Sequence, residues 1–561
     1  MPMRRAKIVA TIGPASNTKE MISKLIETGV NVCRINMSHG TYEAHSAVIK
    51  NIREASRESG YEVAILADLQ GPKIRVDKLP EPLKLEEGSE WVIGASKLKD
   101  KYPEYAQNYI PTIYENLVAD CHDGARILFD DGLLQAVAVN RDRDVYKIKV
   151  KIGGTLKSNK GINLPDCEVS APAFTDKDRE DLMFALKEGA DYVALSFVRK
   201  KEDIMQVKTL LHTLKVNIPI ISKIEKPQAI DNLDDILSVT DMIMVARGDM
   251  GVEVGNHLVP AIQKKIITEC NNKGIPVITA TQMLESMTEN PTPTRAEASD
   301  VANAIWDGTD AVMLSGESAS GKYPIETVRM MDQIVREAER TPKERPLLRH
   351  QDLSSVTASV MVAASMIAEK IGARRILSVT ESGQSCLRIT QFRPSIPVLG
   401  ITNSIKVARR MCLYWGVSPF IVTDQERENN EFMKNVLKEV KDRLKLKNGD
   451  KLVVTRGDGQ FFSQGSSNSV KVELIKDVPK VKGGSQGLEE ASDDKKKILL
   501  DTNNCASCQA CVQVCPHEIW AVTKDEKRDT YIEAKNINKC TMDLACVDAC
   551  PTGAIEIIPQ Y

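Results

Sequence analysis

The chain has no apolar run approaching the ~18 residues that suggest a bilayer span, so it predicts no membrane span and no membrane partner. It also lacks an excess of charge of either sign. Lys and Arg number 75 against 77 Asp and Glu, a net charge of −2, which leaves no basic footprint for nucleic acid. The opening MPMRRAKIVATIG has neither the apolar stretch nor the small-residue cleavage site of a secretory leader. A cytoplasmic, reducing setting is therefore expected, where disulfides are uncommon. Cysteine is sparse over most of the length. Cys33, Cys121, Cys167, Cys270, Cys386 and Cys412 are scattered and read as core thiols.

What is present is organised. At 561 residues the chain needs about three to five domains. Its first 340 residues alternate short apolar runs with helical patterns. Eight runs read as strands: Lys7–Ile12, Val32–Ile35, Val63–Ala67, Tyr192–Leu195, Ile220–Ile224, Met242–Val245, Val277–Ala280 and Ala311–Leu314. Between the third and fourth, Thr175 can cap a helix, with Asp178 three residues on and Leu182, Ala185 and Leu186 facing inward. Eight strand–helix units with buried strands predict a closed (β/α)8 barrel. An open doubly wound sheet shares the same periodicity.

The expected domains are a barrel at 1–73 and 173–345 and an inserted β lid at 74–172, where the helical rhythm gives way to strand-like pieces. An α/β domain follows at 346–475, then a polar linker at 476–498 and a cysteine-rich module at 499–561.

A (β/α)8 barrel carries its chemistry at the carboxyl ends of its strands. After strand two stand Arg34, Asn36, Ser38 and His39; strand three ends in Asp68; strand five carries Lys223 and Glu225. Strand six gives Ala246-Arg247-Gly248-Asp249, and strand seven gives Thr281. Lys223 and Glu225 share a face, since side chains alternate along a strand, and can simply pair. Alternatively, Glu225 and Asp249 share a divalent cation. Two carboxylates suit Mg²⁺, which completes its shell with water and substrate oxygens. Basic groups around such a metal point to an anionic substrate and phosphoryl transfer.

The segments AKIVATIGPAS, CRINMSHG, ISKIEKPQAIDN, ARGDMGVE, ATQMLESM, PTRAEASDVANA and DGTDAVMLSGESASGKYP resemble the pyruvate kinase family over roughly residues 4–474. The resemblance implies a barrel, an inserted β-barrel lid and a C-terminal α/β domain, and transfer of a phosphoryl group from phosphoenolpyruvate to ADP. It implies that Lys223 neutralises charge on the moving group and the enolate, and that Glu225 and Asp249 hold Mg²⁺. Backbone N–H groups of Ala246, Arg247, Gly248 and Asp249 would bind the substrate carboxylate, and Thr281 would assist enolate protonation. Arg34 and Arg75 would clamp phosphate. Asn36, His39 and Lys160 would lie near the nucleotide, Lys160 reaching in from the lid. A homotetramer is the family's usual state. The P-loop-like GESASGKY belongs to the family motif rather than to a nucleotide site, because Tyr323 stands where a metal-binding hydroxyl is needed.

One departure carries a prediction. Many family members require K⁺ and carry Glu in a DTKGPEIR-like segment, and here Asp68-Leu69-Gln70-Gly71-Pro72-Lys73-Ile74-Arg75 places Lys73 at that position. Its ammonium can supply the charge of K⁺, although the rest of a monovalent site, Asn36, Ser38, Asp68 and Leu69, is retained. K⁺ is expected not to be required.

In the α/β domain, Thr380-Glu381-Ser382-Gly383-Gln384-Ser385 follows a strand and opens a helix. It reads either as a capped turn or as a phosphate cradle. In the resembled family this loop binds a phosphorylated effector.

The last 57 residues hold seven cysteines, as Cys505-x2-Cys508-x2-Cys511-x3-Cys515-Pro and Cys540-x5-Cys546-x3-Cys550-Pro. The first run resembles bacterial-type ferredoxins, whose fourth cysteine serves the other cluster; zinc is the alternative. On that crossed rule one [4Fe–4S] cluster takes Cys505, Cys508, Cys511 and Cys550. The second takes Cys515, Cys540 and Cys546, with Asp543 in the place of a thiolate, and is [4Fe–4S] or [3Fe–4S]. The expected protein is a kinase whose clusters regulate it. The alternative is a bifunctional chain whose module carries electrons to a redox partner.

Overall fold

The computed structural model describes residues 4–341, 355–422, 430–457, 467–475, 488–492, 496–501, 505, 508–524, 530–542, 544–550 and 552–559. Two compact units divide the chain: Met1–Leu437 with Lys451–Glu473, and Lys438–Asp450 with Leu474–Tyr561. Among the described residues no helix is long and apolar enough to cross a membrane.

In the first unit, eight parallel strands close into a barrel: Lys7–Thr11, Val32–Asn36, Ala64–Asp68, Tyr192–Leu195, Ile220–Ile224, Met242–Ala246, Val277–Ala280 and Ala311–Leu314. Every position is the one expected from the apolar runs, to within a residue at the ends. The alternation of side chains explains the barrel's two apolar layers. Ile8, Cys33, Ile65, Val193 and Ile243 face the helices, whereas Val9, Val32, Leu66, Ile221 and Met244 fill the interior. Two residues beyond interior Val32, Leu66 and Ile221 come Arg34, Asp68 and Lys223, so the top of the interior column is charged. The helix Asp176–Lys187 begins with a complete Thr175–Asp178 capping box.

The insertion after the third strand is a six-stranded sheet in the order Ile162–Asn163, Arg126–Phe129, Leu134–Asp142, Val145–Ile152, Glu90–Ala95, Tyr109–Thr112. It has its own apolar core, including Ile93, Ile127, Phe129 and Ile148. The entry to this lid turns at Gly71 (φ 70°). A Cβ there would meet the Phe197 ring at 2.7 Å, so only glycine fits. Asp178 ties the lid's two ends together: Oδ1 accepts the Gly71 N–H at 2.9 Å and Oδ2 the Thr175 N–H at 2.9 Å.

The α/β domain has a sheet in the order Val417–Ile421, Val398–Thr402, Arg375–Val379, Lys451–Gly457, Ser467–Leu474. The sequence reading missed the first and last of these, whose apolar residues are interrupted by Ser418 and Pro419 and by Lys471 and Glu473. Tyr192, at the foot of the barrel, donates its hydroxyl to Arg410 O at 2.6 Å.

In the second unit, Leu488–Ser492, Lys496–Asp501 and Ile555–Pro559 form an antiparallel sheet. Part of the stretch expected to be linker, 476–498, is therefore strand. Ile498 and Leu500 alternate into the core beside Ile555, a period-two signal hidden by the surrounding Lys and Asp residues. The hairpin Trp520–Lys524 with Thr530–Ala534 and two short helices, Ala510–Val514 and Ala545–Ala549, complete it. Each helix is entered through a left-handed residue, Gln509 (φ 62°) or Leu544 (φ 60°), so the two cysteine runs repeat one local conformation.

Candidate active site

At the barrel mouth five charged groups converge. Arg34 donates from Nε to Asp68 Oδ2 at 2.7 Å and from Nη1 to Thr11 Oγ1 at 2.9 Å. Lys223 Nζ lies 3.4 Å from Asp68 Oδ1, 2.8 Å from Glu225 Oε1 and 2.9 Å from Ser196 Oγ. The Phe197 N–H is held by Glu225 Oε2 at 2.8 Å. Asp68 and Glu225 are almost wholly buried, at 1% and 0% exposed.

Burial opposes charge on Lys223, but Asp68, Glu225 and Asp249 outweigh it and hold the ammonium above its ordinary range. Burial likewise pushes Asp68 up, and Lys223 and Arg34 more than reverse this, leaving its carboxyl low. For Glu225, burial and then the Asp249 charge prevail over Lys223, and its carboxyl is raised.

Two cations against three carboxylates leave this cluster with one net negative charge, which repels an anionic substrate. Asp68 Oδ1 and Glu225 Oε1 are also buried, and both face the Lys223 ammonium. Glu225 and Asp249 thus fit a hard divalent cation, which reverses the sign of the site. Lys223 and Glu225 do pair, as the plainer sequence reading allowed, and the pair is part of the same cluster.

A cleft of about 530 Å³ opens beside it, lined from the barrel by Lys73, Gly248, Asp249, Thr281 and Ser315 and from the lid by Arg126, Asp131 and Gln135. Thr281 sits at φ 66° and Gln282 at φ 53°, a strained conformation for a β-branched residue. Arg247 holds them there. Its guanidinium is buried and donates to Ala280 O at 3.3 Å, to Thr281 O at 2.8 Å, to Gln282 O at 3.0 Å and to Asp300 Oδ2 at 2.6 Å. The Arg247 N–H is the group expected to meet substrate; its side chain braces the loop after strand seven. The Gly248 N–H, also expected to bind substrate, donates to Thr281 Oγ1 at 2.8 Å, and that hydroxyl donates to Ala280 O at 2.6 Å. Replacing Arg247 with Met strips three carbonyls and a carboxylate of their partner. It is expected to cost about 2–3 kcal/mol, since Asp300 still reaches water, and to lower kcat through the loosened Thr281; chemical denaturation and steady-state kinetics check both.

Other expected residues lie apart from this cluster. Arg75 binds Asn159 O at 3.0 Å in the lid hinge. Lys160 pairs with Asp130 within the lid at 2.8 Å. His39 is exposed on the loop after strand two. Of the monovalent-site residues, Asn36 Oδ1 accepts the Ser38 N–H at 3.1 Å and Leu69 O accepts from Ser196 Oγ at 2.7 Å. A lid clasp went unnoticed in the sequence: Asn163 donates to Glu253 Oε1 at 2.7 Å, and Lys226 lies 2.5 Å from the same oxygen. In the Thr380–Ser385 loop, Thr380 Oγ1 accepts the Gly383 N–H at 2.9 Å, the geometry of a capped turn. Glu381, Ser382 and Gln384 stand on its rim, and Ser385 is buried.

In the second unit the cysteines group across the two runs. Burial raises Cys511, with Cys505, Cys508 and Cys550 adding to the effect, to about 12. Burial raises Cys546 too, with Cys515 and Cys540 as its thiol neighbours. Backbone N–H groups of Met542 and Ala554 donate to Cys540 Sγ at 3.4 Å and Cys550 Sγ at 3.3 Å. Donors aimed at sulfur, with thiols gathered in two crossed sets, fit thiolates that bind two anionic iron–sulfur clusters. Asp543 lies outside the described residues.

Comparison with known proteins agrees. The model of the pyruvate kinase barrel domain matches residues 3–328, that of the pyruvate kinase alpha/beta domain matches 358–473, and that of a 4Fe-4S dicluster domain matches 497–551. Pyruvate kinase of Staphylococcus epidermidis is 40% identical over 514 residues, covering 89% of this chain and 87% of its own. Pyruvate kinase of Sporosarcina psychrophila is 41% identical, covering 85% and 81%. Pyruvate kinase 2 of Synechocystis is 43% identical, covering 85% and 80%. With the barrel, its charged mouth and the lid clasp in view, these matches establish that the chain belongs to the pyruvate kinase family and carries a 4Fe-4S dicluster domain beside the kinase domains.

Proposed function

We propose that the protein transfers the phosphoryl group of phosphoenolpyruvate to ADP, giving pyruvate and ATP, with Lys223, Arg34 and Thr281 as the reacting site's side chains. The observation that carries this is the buried Lys223 ammonium, held charged by three carboxylates beside a cleft shared with the lid. The P–O bond to the enolate oxygen breaks as a β-phosphate oxygen of ADP takes the phosphorus, and the enolate carbon then gains a proton. Lys223 offsets the charge that passes from phosphoryl to enolate. Thr281 is set to relay a proton through its hydroxyl. The lid, drawn down by Asn163 and Glu253, excludes water that would hydrolyse the donor. Mg²⁺ held by Glu225 and Asp249 would supply Lewis-acid neutralisation of substrate oxygens. Arg75, Asn36, His39 and Lys160 are proposed nucleotide contacts made on closure. A coupled assay should show Mg²⁺-dependent ATP formation; none from purified protein with phosphoenolpyruvate and ADP would refute the reading.

Lys73 lines both the cleft and the narrower hollow that holds Asp249 and Asp131. Its charge there supports a kinase that works without K⁺, so activity should persist when a large organic cation replaces K⁺. The Lys73→Glu variant should acquire K⁺ activation of roughly tenfold or more, since the added carboxylate deepens the negative site. Loss of nearly all wild-type activity without K⁺ would sink the proposal. A homotetramer and a phosphorylated effector at Thr380–Ser385 rest on the family alone; sedimentation and effector titrations test them.

For the dicluster domain, the crossed grouping of Cys505, Cys508, Cys511 and Cys550, and of Cys515, Cys540 and Cys546, supports one [4Fe–4S] cluster and a second with a weak site at Asp543. A carboxylate binds iron less firmly than thiolate, so the second is [3Fe–4S] or has one labile iron. Anaerobic protein should contain roughly seven to eight irons per chain and give a [3Fe–4S] resonance after mild oxidation; two unchanged cubanes would refute the weak site. We propose that cluster redox state tunes the kinase. Identical kinetics for oxidised and reduced full-length protein would favour electron delivery to a separate partner.

A further inference from the structure

The lid holds a second group of reactive side chains, remote from the kinase chemistry. Cys121 follows the helical turn Leu117–Asp120, and Cys167 lies on the segment by which the chain leaves the lid. They are 8% and 3% exposed, share the lid core, and their side chains interact, with Cys121 Sγ also 3.9 Å from His122 O.

The exposed His122 sits over this pair. Its Nδ1 is 3.0 Å from Asp123 O and its Nε2 is 3.0 Å from Asp166 O. Both partners are carbonyl oxygens, which only accept. A neutral imidazole has one N–H and can satisfy one of them; the imidazolium satisfies both. These two contacts raise His122 above its usual range. The neighbouring carboxylates are already engaged, Asp123 by the Tyr146 hydroxyl and Asp166 by Arg126.

Of the six scattered cysteines, burial raises Cys33, Cys270, Cys386 and Cys412, as suits inert core thiols. Cys167 goes the other way. Its hydrogen bond from Cys121, joined by the His122 charge, overcomes burial and favours its thiolate, while Cys121 is driven up. A stabilised thiolate in contact with a protonated second thiol is the arrangement of an attacking and a resolving cysteine.

We propose that Cys121 and Cys167 form a redox-active dithiol that a small peroxide closes to a disulfide, tying the lid's exit segment to the lid core. The Cys167 thiolate attacks one peroxide oxygen; the O–O bond breaks, an S–O bond forms, and the other oxygen leaves as hydroxide. The Cys121 sulfur then attacks the Cys167 sulfur; the S–O bond breaks and the S–S bond forms. The departing oxygen and the hydroxide leave as water, taking the proton of Cys121 and the one Cys167 had released. The sulfurs lose two electrons and the peroxide gains them, so two thiols and one peroxide give one disulfide and two waters. Four residues beyond Cys167, Ala171 O is gripped by Arg199 Nη2 at 2.8 Å. The disulfide thus shortens the free hinge between the barrel's grip and the lid core. Slower closure follows, a consequence that rests on the kinase reading, whereas formation of the bond does not.

The test treats full-length protein with a small molar excess of hydrogen peroxide, blocks remaining thiols by alkylation, and maps peptides by mass. The expected product is a Cys121–Cys167 linked pair lacking two hydrogens. In the Cys121→Ser variant, Cys167 should stop at a sulfenic acid that a carbon nucleophile captures. Oxidised wild type should lose kcat/KM for ADP by roughly twofold or more, and a dithiol reductant should restore it. Cys121→Ser has the same iron–sulfur module and meets the same peroxide, so it should show no such reversible loss; Cys167→Ala serves if that variant does not fold. The proposal is overturned if both cysteines alkylate after peroxide, if either joins a different cysteine, or if the serine variant shows the same reversible loss.

Discussion

Lys223→Met is expected to lower kcat by at least about 1,000-fold, roughly 4 kcal/mol of transition-state stabilisation. The side chain is of similar length, so packing above Ile221 is retained while the charge is lost. Two effects combine. Among the described residues the ammonium is the one cation within reach of Asp68, Glu225 and Ser196 together. Its removal also leaves the Glu225 and Asp68 carboxylates buried with less compensation, at a site already net negative. Steady-state kinetics at saturating Mg²⁺, with circular dichroism as a check on folding, measures this. A loss below tenfold in a folded variant would remove Lys223 from the mechanism.

Glu225→Gln should raise the Mg²⁺ concentration for half-maximal activity on the order of 100-fold, the upper range for losing even an outer-shell partner of a metal, and should lower kcat as well. The amide still accepts the Phe197 N–H now held by Glu225 Oε2, so the loop after strand four keeps its shape. What goes is one of two anionic oxygens bound for the cation. Lys223 stays charged, because Asp68 and Asp249 remain near it. An Mg²⁺ titration within about twofold of wild type would show that Glu225 is no ligand.

The two predictions concern residues whose placement was readable before folding. Apolar runs located the barrel strands to within a residue, and the rule that barrel chemistry follows strand ends then pointed to Arg34, Asp68, Lys223 and Glu225. Period-two alternation puts them above the interior Val32, Leu66 and Ile221. Less legible were groups whose meaning lies in partners far along the chain. Arg247 stood in a recognisable motif, yet nothing in that motif showed that its side chain braces Thr281 and Gln282. A lone arginine at a strand end gives no hint of three carbonyls over thirty residues away. The strand at Leu488–Ser492 was hidden because a short polar run pairs only when Lys496–Asp501 offers its edge.

Sequence by itself determined the barrel, the inserted lid, the kinase family and the two cysteine runs. Each is written in a local signal: strand periodicity, contiguous motifs, or ligand spacing. Only the tertiary structure decided that Asn163 clasps Glu253, that Arg247 holds a strained threonine, and that Cys121, Cys167 and His122 come together in the lid. Those three facts depend on distances between segments 34 to 90 residues apart or on side chains converging in a packed core. No local pattern encodes such distances, because they are set by how sheets and helices close on one another.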